Sequence, residues 1–216
     1  METPMTTPTQ ATPTTSNLSR RKALALGAAA CASALFAAPT GAQALTKATA
    51  EALVNSTVAD INKVINSGKS ESRMIKDFEK ILVRYGDVNI IARTTLGRDW
   101  RGLSSAEQRN FTKAFQGYIA RKYGKRFREF IGGRIDVKGT KKVKSWHEVQ
   151  TLAILAGEAP FDLTFLVSDR SGAPKFFDLR IEGISLRRTE GAEIGAMLDK
   201  RGGKINKLIA DLKKAG

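Results

Sequence analysis

One stretch of the chain, residues 104–131, restricts the possible folds more than any other. It is typical of a helix that begins at Ser104 and ends near Ile131, and its large apolar side chains recur at every fourth position. At helical pitch such side chains form one slowly turning stripe. The members of this aromatic stripe are Phe111, Phe115, Ile119, Tyr123, Phe127 and Ile131.

The aromatic content of the stripe favours a particular kind of contact surface. A narrow helix bundle is filled better by Leu and Ile, which interdigitate in defined rotamers. Phe and Tyr on one side of a helix suit a broad, loosely filled surface, so we interpret the stripe as one wall of an apolar chamber. The alternative is an ordinary amphipathic helix packed on a sheet.

The first 44 residues are typical of an export signal. Residues 1–17 are rich in Thr and Pro and should not fold, and the paired arginines at 20–21 fit a twin-arginine signal. The Ala-rich run over 23–38 is too short and too weakly hydrophobic for a transmembrane helix. Residues 42–44 form a small-x-small cleavage site, so the predicted mature chain begins at Leu45 after cleavage behind Ala44.

The export prediction sets limits on the remaining chain. The only cysteine, Cys31, lies inside the signal, so the mature chain has no disulfide and depends on its core for stability. Ala23 stands where twin-arginine signals usually have Phe, which leaves general secretory export as the alternative route. The formal net charge is +15, and +13 of it lies after residue 44, because residues 1–44 hold three basic side chains and one acidic one. Outside the cytoplasm this charge favours anionic lipid headgroups or an acidic docking protein over nucleic acid.

The apolar spacing changes once along the mature chain, residues 45–216, which we expect to form a single domain. Helices are predicted over about 46–66, 70–84, 88–96 and 104–131, with a capping box formed by Ser104 and Glu107. After Gly132 the spacing alternates, and strands are predicted over about 134–144, 147–156, 161–168 and 175–187. We expect a turn near Gly139, a bulge at Gly183 and two final helices over about 190–199 and 204–213. The fold class is therefore α+β, with an antiparallel sheet of about four strands.

The sequence lacks the residue patterns of the common enzyme classes. It has one histidine, His147, in a predicted strand, and no nucleophile elbow, zinc-binding helix motif or phosphate loop. The alternation of the last strand puts Asp178 and Glu182 on its polar, solvated face. A secreted hydrolase that uses these two carboxylates is one alternative function, and a docking module without a ligand is another. We predict no catalytic residue, no metal ligand and no cofactor.

A series of short motifs follows a fixed order along the mature chain. The motifs form two groups. The first group consists of Tyr85-Gly86-Asp87, Ala92, Leu96-Gly97, Trp100, Gln108, Phe111, Ala114-Phe115, Tyr123 and Phe127. The second group is the segment 177–186, FDLRIEGISL. In order and spacing these residues resemble the MlaC family, the periplasmic phospholipid-binding proteins also called toluene-tolerance or ABC-transporter auxiliary proteins. The resemblance covers nearly all of the mature chain.

The resemblance implies both an architecture and a role. The architecture is a helical layer over a curved antiparallel sheet, with an apolar pocket between them that takes phospholipid acyl chains. The role is a periplasmic carrier that shuttles lipid between an outer-membrane lipoprotein complex and an inner-membrane ABC transporter with a lipid-binding periplasmic subunit. Such a carrier maintains the lipid asymmetry of the outer membrane and touches membrane surfaces only transiently. The residues expected to contact lipid are Leu96, Trp100, Phe115, Ile119, Tyr123, Phe127, Leu163, Phe165, Leu179 and Ile181.

Overall fold

The computed structural model describes residues 45–155 and 157–216, without the side chains of residues 127 and 128. Within these residues, six α-helices pack with one five-stranded antiparallel sheet. This confirms the predicted α+β class and adds a short fifth strand to the four expected. The predicted export signal, residues 1–44, lies outside the described residues. No helix of the described part combines the length and the apolar character that a membrane crossing requires.

Three helices come first, and capping side chains explain where two of them begin. They are α1 (Lys47–Ile65), α2 (Glu71–Tyr85) and α3 (Val88–Leu96). Thr46 forms a capping box with Thr49 at the start of α1. The Asp87 carboxylate accepts a hydrogen bond of 3.1 Å from the backbone N–H of Ile90 at the start of α3. Each cap satisfies a backbone donor that has no partner inside its helix.

The helix that carries the aromatic stripe is α4 (Ser105–Gly124). Its predicted capping box is confirmed: the Ser104 N–H donates to the Glu107 carboxylate at 2.9 Å, and the Glu107 N–H donates to Ser104 Oγ at 3.3 Å. The α-helix ends earlier than predicted, because the chain tightens into a 3₁₀ helix, Lys125–Phe130. At its last residue, Gly124, α4 lies so close to α2 that an added Cβ would be 3.0 Å from Ile75 Cγ1.

The sheet is a meander in which each strand pairs with the next. Its strands are β1 (Arg134–Val143), β2 (Trp146–Ile154), β3 (Phe161–Ser168), β4 (Lys175–Ile181) and β5 (Ile184–Ser185). Phe165 of β3 lies opposite Val149 of β2 and Leu179 of β4, so these side chains share one face. The predicted turn near Gly139 is wrong. β1 continues through it with a bulge between Val137 and Gly139, which takes up one extra residue without reversing the strand.

The end of the sheet also differs from the prediction. The expected bulge at Gly183 is wrong, because Glu182 and Gly183 form a two-residue hairpin turn between β4 and β5. Their φ angles are 49° and 78°, and positive values at both central positions are typical of a type I′ turn. The chain then enters α5 (Leu186–Lys200) directly, earlier than the predicted start near residue 190, and ends with α6 (Ile205–Leu212).

A buried carboxylate explains the early start of α5. Asp178 is only 4% exposed, so the prediction that it is solvated is wrong. It accepts hydrogen bonds from the Ser185 hydroxyl at 2.6 Å and from the backbone N–H groups of Leu179 and Arg187 at 2.9 and 3.1 Å. The Arg187 Nε atom lies 3.8 Å from the same carboxylate. The first turn of α5 is thereby tied to β4.

Among the described residues, three apolar clusters hold the layers together, and the third joins the end of α1 to α2. In the first, side chains of α3 to α6 pack around Phe111 and Tyr118 of α4, which are almost fully buried. In the second, Ala50 and Val54 of α1 pack on Val167 and its neighbours on the inner face of the sheet. The helices therefore have a core of their own, and α1 is the helix that joins them to the centre of the sheet.

The Asp178 contacts generate a stability prediction. Asp178→Ala should lower the free energy of unfolding by about 3 kcal/mol, because it leaves two backbone donors and a hydroxyl without their acceptor in a buried setting. Urea denaturation followed by circular dichroism measures this. Asp162→Ala is the matched control, since the Asp162 side chain is exposed and its loss should change stability by no more than about 0.5 kcal/mol. Equal effects of the two substitutions would contradict the role assigned to Asp178.

His147 generates a prediction about pH. This side chain is 5% exposed. Burial lowers its pKa, the nearby Lys142 charge lowers it further, and Asp169 offsets part of the effect. The unfolded chain takes up a proton near the ordinary pKa of about 6.5, while folded His147 still resists it. Stability should therefore fall as the pH drops through this value.

The measurement is the free energy of unfolding at several pH values between about 7 and 5, for the natural chain and for His147→Leu. The loss of stability on acidification should be smaller in the variant, which has no imidazole to protonate. Parallel pH profiles for the two proteins would show that His147 does not contribute.

Candidate functional site

An apolar cavity of about 330 Å³ lies between the helices and the inner face of the sheet. Side chains from α1 to α4 form one side of it, and β1, β3, β4 and the start of α5 form the other. A space lined in this way offers water few hydrogen-bond partners. It suits hydrocarbon.

The alternation of β3 and β4 produces the sheet wall of this cavity. Leu163 and Phe165 of β3 lie opposite Ile181 and Leu179 of β4, and all four point to the helical side. The polar residues between them point to the other face, because successive side chains of a strand alternate. The sequence patterns of these two strands therefore located the sheet wall.

The middle part of the aromatic stripe, from Phe115 to Tyr123, forms the helix wall. Phe115, Ile119 and Tyr123 line the cavity from α4. Phe115 also belongs to the helical core, where its ring stacks on that of Phe111 at 5.9 Å between centroids. The stripe thus passes from one environment to another: Phe111 is enclosed by helices, while Ile119 and Tyr123 face the cavity. Ile131, at the far end, is 52% exposed and does not continue the wall.

Seven of the ten residues expected to contact lipid line the cavity, and two, Leu96 and Trp100, are not part of its described lining. Leu96 is buried in the helical core, and Trp100 packs edge-on against Phe111 there at 6.3 Å. Helical spacing alone does not tell which neighbour an apolar face will meet, so it did not separate these two core residues from those that line the cavity. The side chain of Phe127 lies outside the described residues. Contact between the seven lining residues and a ligand remains a prediction.

Several lining residues had no distinguishing signal in the sequence. Most of them lie on apolar faces of the first three helices, and periodicity does not separate a residue in a dry core from one that faces a cavity. Phe176 of β4 is part of the same wall and packs edge-to-face on Phe165 at 5.8 Å. The helical members of this group are Ile61, Phe78, Ile81, Leu82, Val88 and Ile91.

The cavity reaches solvent at one end. Its exposed lining residues are Arg126 and Glu129 of the 3₁₀ helix that follows α4, and Glu158 of the β2–β3 connection. The remaining lining residues are buried or half-buried. Charged side chains therefore mark the exposed part of the lining, and most of the interior lining is apolar.

A polar network closes the wall where α4 meets α5. Glu190 is 2% exposed and accepts hydrogen bonds from the Tyr123 hydroxyl at 2.5 Å, the Lys122 ammonium at 2.8 Å and the Tyr118 hydroxyl at 3.1 Å. Tyr118 also donates to Glu193 at 2.8 Å, and Lys122 donates to the same carboxylate. The Tyr123 ring thus lines the cavity while its hydroxyl is bound to α5.

The electrostatics keep the two phenols and the lysine of this network protonated at neutral pH. Burial raises the pKa of Tyr118, and the hydrogen bond to Glu193 raises it further. Burial and the hydrogen bond to Glu190 raise the pKa of Tyr123 in the same way. For Lys122 burial alone would lower the pKa, but the hydrogen bonds to Glu190 and Glu193 outweigh it and raise the pKa. Both phenols remain donors, and the lysine remains charged.

A second and larger depression, of about 770 Å³, lies on the opposite face of the sheet. Its lining mixes apolar residues with four arginines, so it differs in chemistry from the enclosed cavity. Within the described residues, no cluster of three or more His, Cys, Asp or Glu side chains is arranged to hold a metal ion.

The fold and the cavity define a class of proteins: α+β domains that enclose an apolar space between a helical layer and one antiparallel sheet. The sequence profile of the MlaC protein family matches residues 52–214. The chain therefore belongs to the MlaC family, as the resemblance in its sequence implied.

Solved structures share this fold. One of them is the phospholipid-binding protein from Ralstonia solanacearum, determined in complex with a phospholipid at 1.53 Å resolution. The two chains are 19% identical and superpose with a TM-score of 0.66, over 76% of this chain and 95% of the other. At this level of identity the likeness establishes the fold. No curated protein matches the chain in sequence.

The α4–α5 network generates a third prediction. Lys122→Met removes the ammonium group but keeps the aliphatic stem, so Glu190 loses its cationic partner while it remains buried. The free energy of unfolding should fall by about 3 kcal/mol. Lys113→Met is the control on the same helix, because Lys113 is exposed, and its effect should stay within about 0.5 kcal/mol. A loss no larger than that of the control would show that the network does not hold α4 to α5.

Proposed function

We propose that this protein is a periplasmic carrier that holds the acyl chains of a phospholipid in the cavity between α4 and the sheet. It shuttles the lipid between an outer-membrane lipoprotein complex and an inner-membrane ABC transporter with a lipid-binding periplasmic subunit, and so maintains outer-membrane lipid asymmetry. The observation that carries this proposal is the cavity itself: about 330 Å³ of apolar space with one charged opening.

The energetics of an empty apolar cavity favour an occupant. Apolar lining that faces water is unfavourable by about 25 cal/mol per Å² of exposed surface. A lipid tail exposed to water costs about 0.8 kcal/mol per CH₂. A tail inside the cavity removes both costs, so transfer from bilayer to protein exchanges one apolar environment for another. The headgroup stays at the opening beside Arg126, Glu129 and Glu158.

Family membership supports the ligand class and the compartment. MlaC proteins are periplasmic in general, and the related fold from Ralstonia solanacearum was determined with a phospholipid bound. The twin-arginine-like signal over residues 1–44, cleaved after Ala44, agrees with this location. The net charge of +13 on the mature chain favours acidic partners and transient contact with anionic membrane surfaces.

The geometry of the carboxylates favours a carrier over a hydrolase. Both oxygens of Asp178 already accept hydrogen bonds from Ser185 and from backbone groups, so they are not placed to activate a water. Glu182 lies in the hairpin turn, where its carboxylate accepts from the backbone N–H of Asp162. The sequence has no phosphate loop for a nucleotide, so the direction of lipid flow comes from the partner complexes.

The test is to fill the cavity with larger side chains of the protein itself. Ile119→Trp and Ile181→Trp each place a large ring in the space that a tail would occupy, at half-buried positions on opposite walls. Native mass spectrometry of protein purified from the periplasm without detergent should show phospholipid on the natural chain. Each variant should retain at least about tenfold less, which corresponds to a loss of about 1.4 kcal/mol of binding free energy.

Val83→Trp is the matched control, because Val83 lies on α2 with 43% of its surface exposed and is not part of the cavity wall. It should retain lipid like the natural chain, and circular dichroism should show the same fold for all the proteins. Full lipid retention by both cavity-filling variants would exclude this cavity as the binding site.

A further inference from the structure

We propose that the groove on the outer face of the sheet binds an extended acidic segment of a partner protein. This inference rests on the proposed carrier function only in that a carrier must dock on the complexes that load and empty it. The groove, of about 770 Å³, is bounded by α3, the β1–β2 turn, the β4–β5 hairpin and the first turn of α5. By strand alternation it lies on the face opposite to the cavity.

The floor of the groove is apolar and aromatic. Trp146 and Phe177 meet edge-to-face, with ring centroids 6.2 Å apart and an angle of 84° between their planes. Leu166 lies beside them in the same lining. The guanidinium of Arg187 stands 5.7 Å from the centre of the Phe177 ring. Such a floor can bury one large apolar side chain of a partner.

The charged side chains around this floor are predominantly basic. Four arginines and one carboxylate, Asp178, belong to the lining. Arg187 lies beside Asp178, and Arg180 forms a 2.9 Å ion pair with Glu148. These two cations are therefore already neutralised by neighbours.

The other two arginines are available to a partner. Arg170 and Arg188 are exposed, and no acidic side chain of the described residues forms an ion pair with either. Arg170 donates a hydrogen bond only to the neutral Ser145 hydroxyl, at 3.2 Å. Two unpaired guanidinium groups beside an apolar floor complement a segment in which carboxylates flank a large apolar side chain.

The shape of the groove favours a peptide over a membrane surface. A bilayer surface is flat on the scale of this depression and cannot follow a floor recessed between a turn and a hairpin. An extended peptide can enter such a groove and place alternate side chains on its floor and rim. Ile184, 65% exposed on the hairpin at the edge of the groove, adds apolar surface that a bound segment would cover.

The experiment measures binding of a defined probe to the mature protein. The probe is a short blocked peptide in which acidic residues flank a central phenylalanine, and isothermal titration calorimetry gives its Kd. We expect saturable binding that weakens as salt is added. The double variant Arg170→Glu/Arg188→Glu should bind at least about tenfold more weakly, because each attraction becomes a repulsion.

Arg73→Glu/Arg109→Glu is the matched control. Both of its arginines are exposed on helices outside the groove, and it changes the net charge by the same amount, so its Kd should change by less than about twofold. Equal weakening by the two double variants would overturn the proposal, because it would show attraction to the protein's overall charge. Absence of saturable peptide binding at low salt would overturn it as well.

Two further measurements separate the competing explanations. If phosphatidylglycerol vesicles bind the natural chain and lose binding in the groove variant, while the peptide does not bind, a lipid surface occupies the groove and the proposal is wrong. Native mass spectrometry on the same preparations reports the lipid content of the cavity. If the protein binds the peptide but purifies without lipid, the docking proposal stands and the carrier function is wrong. If the protein retains lipid but does not bind the peptide, the carrier function stands and the docking proposal is wrong.

Discussion

The contact between the buried Asp178 carboxylate and the first turn of α5 determines how the site is built. It ends the sheet with a tight hairpin and turns the chain at once into a helix, where the sequence pattern favoured a longer strand. That helix then supplies Leu186, Arg187 and Glu190 to the cavity wall. Asp178 and Arg187 line both the inner cavity and the outer groove.

The cavity exists because the helical layer and the sheet each bury much of their apolar surface in other contacts. The N-terminal part of the aromatic stripe is buried among helices around Phe111, and α1 covers the centre of the sheet. Between these two contacts, Ile119 of α4 and Ile181 of β4 line the open space. The Glu190 network fixes α4 to α5 across the same gap. Apolar surface left uncovered in this way suits a hydrocarbon guest better than water.

The sequence predicted those features that depend on local chemistry. The alternation of β3, the capping box at Ser104 and the apolar stripe of α4 each follow from neighbours a few residues away. What it missed depends on contacts between distant segments. Leu96 and Ile119 have the same helical signature and both pack in the helical core, but only Ile119 also lines the cavity. Gly183 became part of a hairpin turn because Asp178 fixes the following helix. Periodicity identifies an apolar face without naming its partner.

The most direct test of the account is to map where lipid tails lie in the protein. A phospholipid with a photoreactive group at the end of one acyl chain is loaded and cross-linked, and the modified residues are identified by peptide mass spectrometry. The account predicts labels on the inner face, at residues such as Ile119, Leu163 and Ile181. Labels concentrated on the outer face of the sheet, at Leu166 or Phe177, would contradict it.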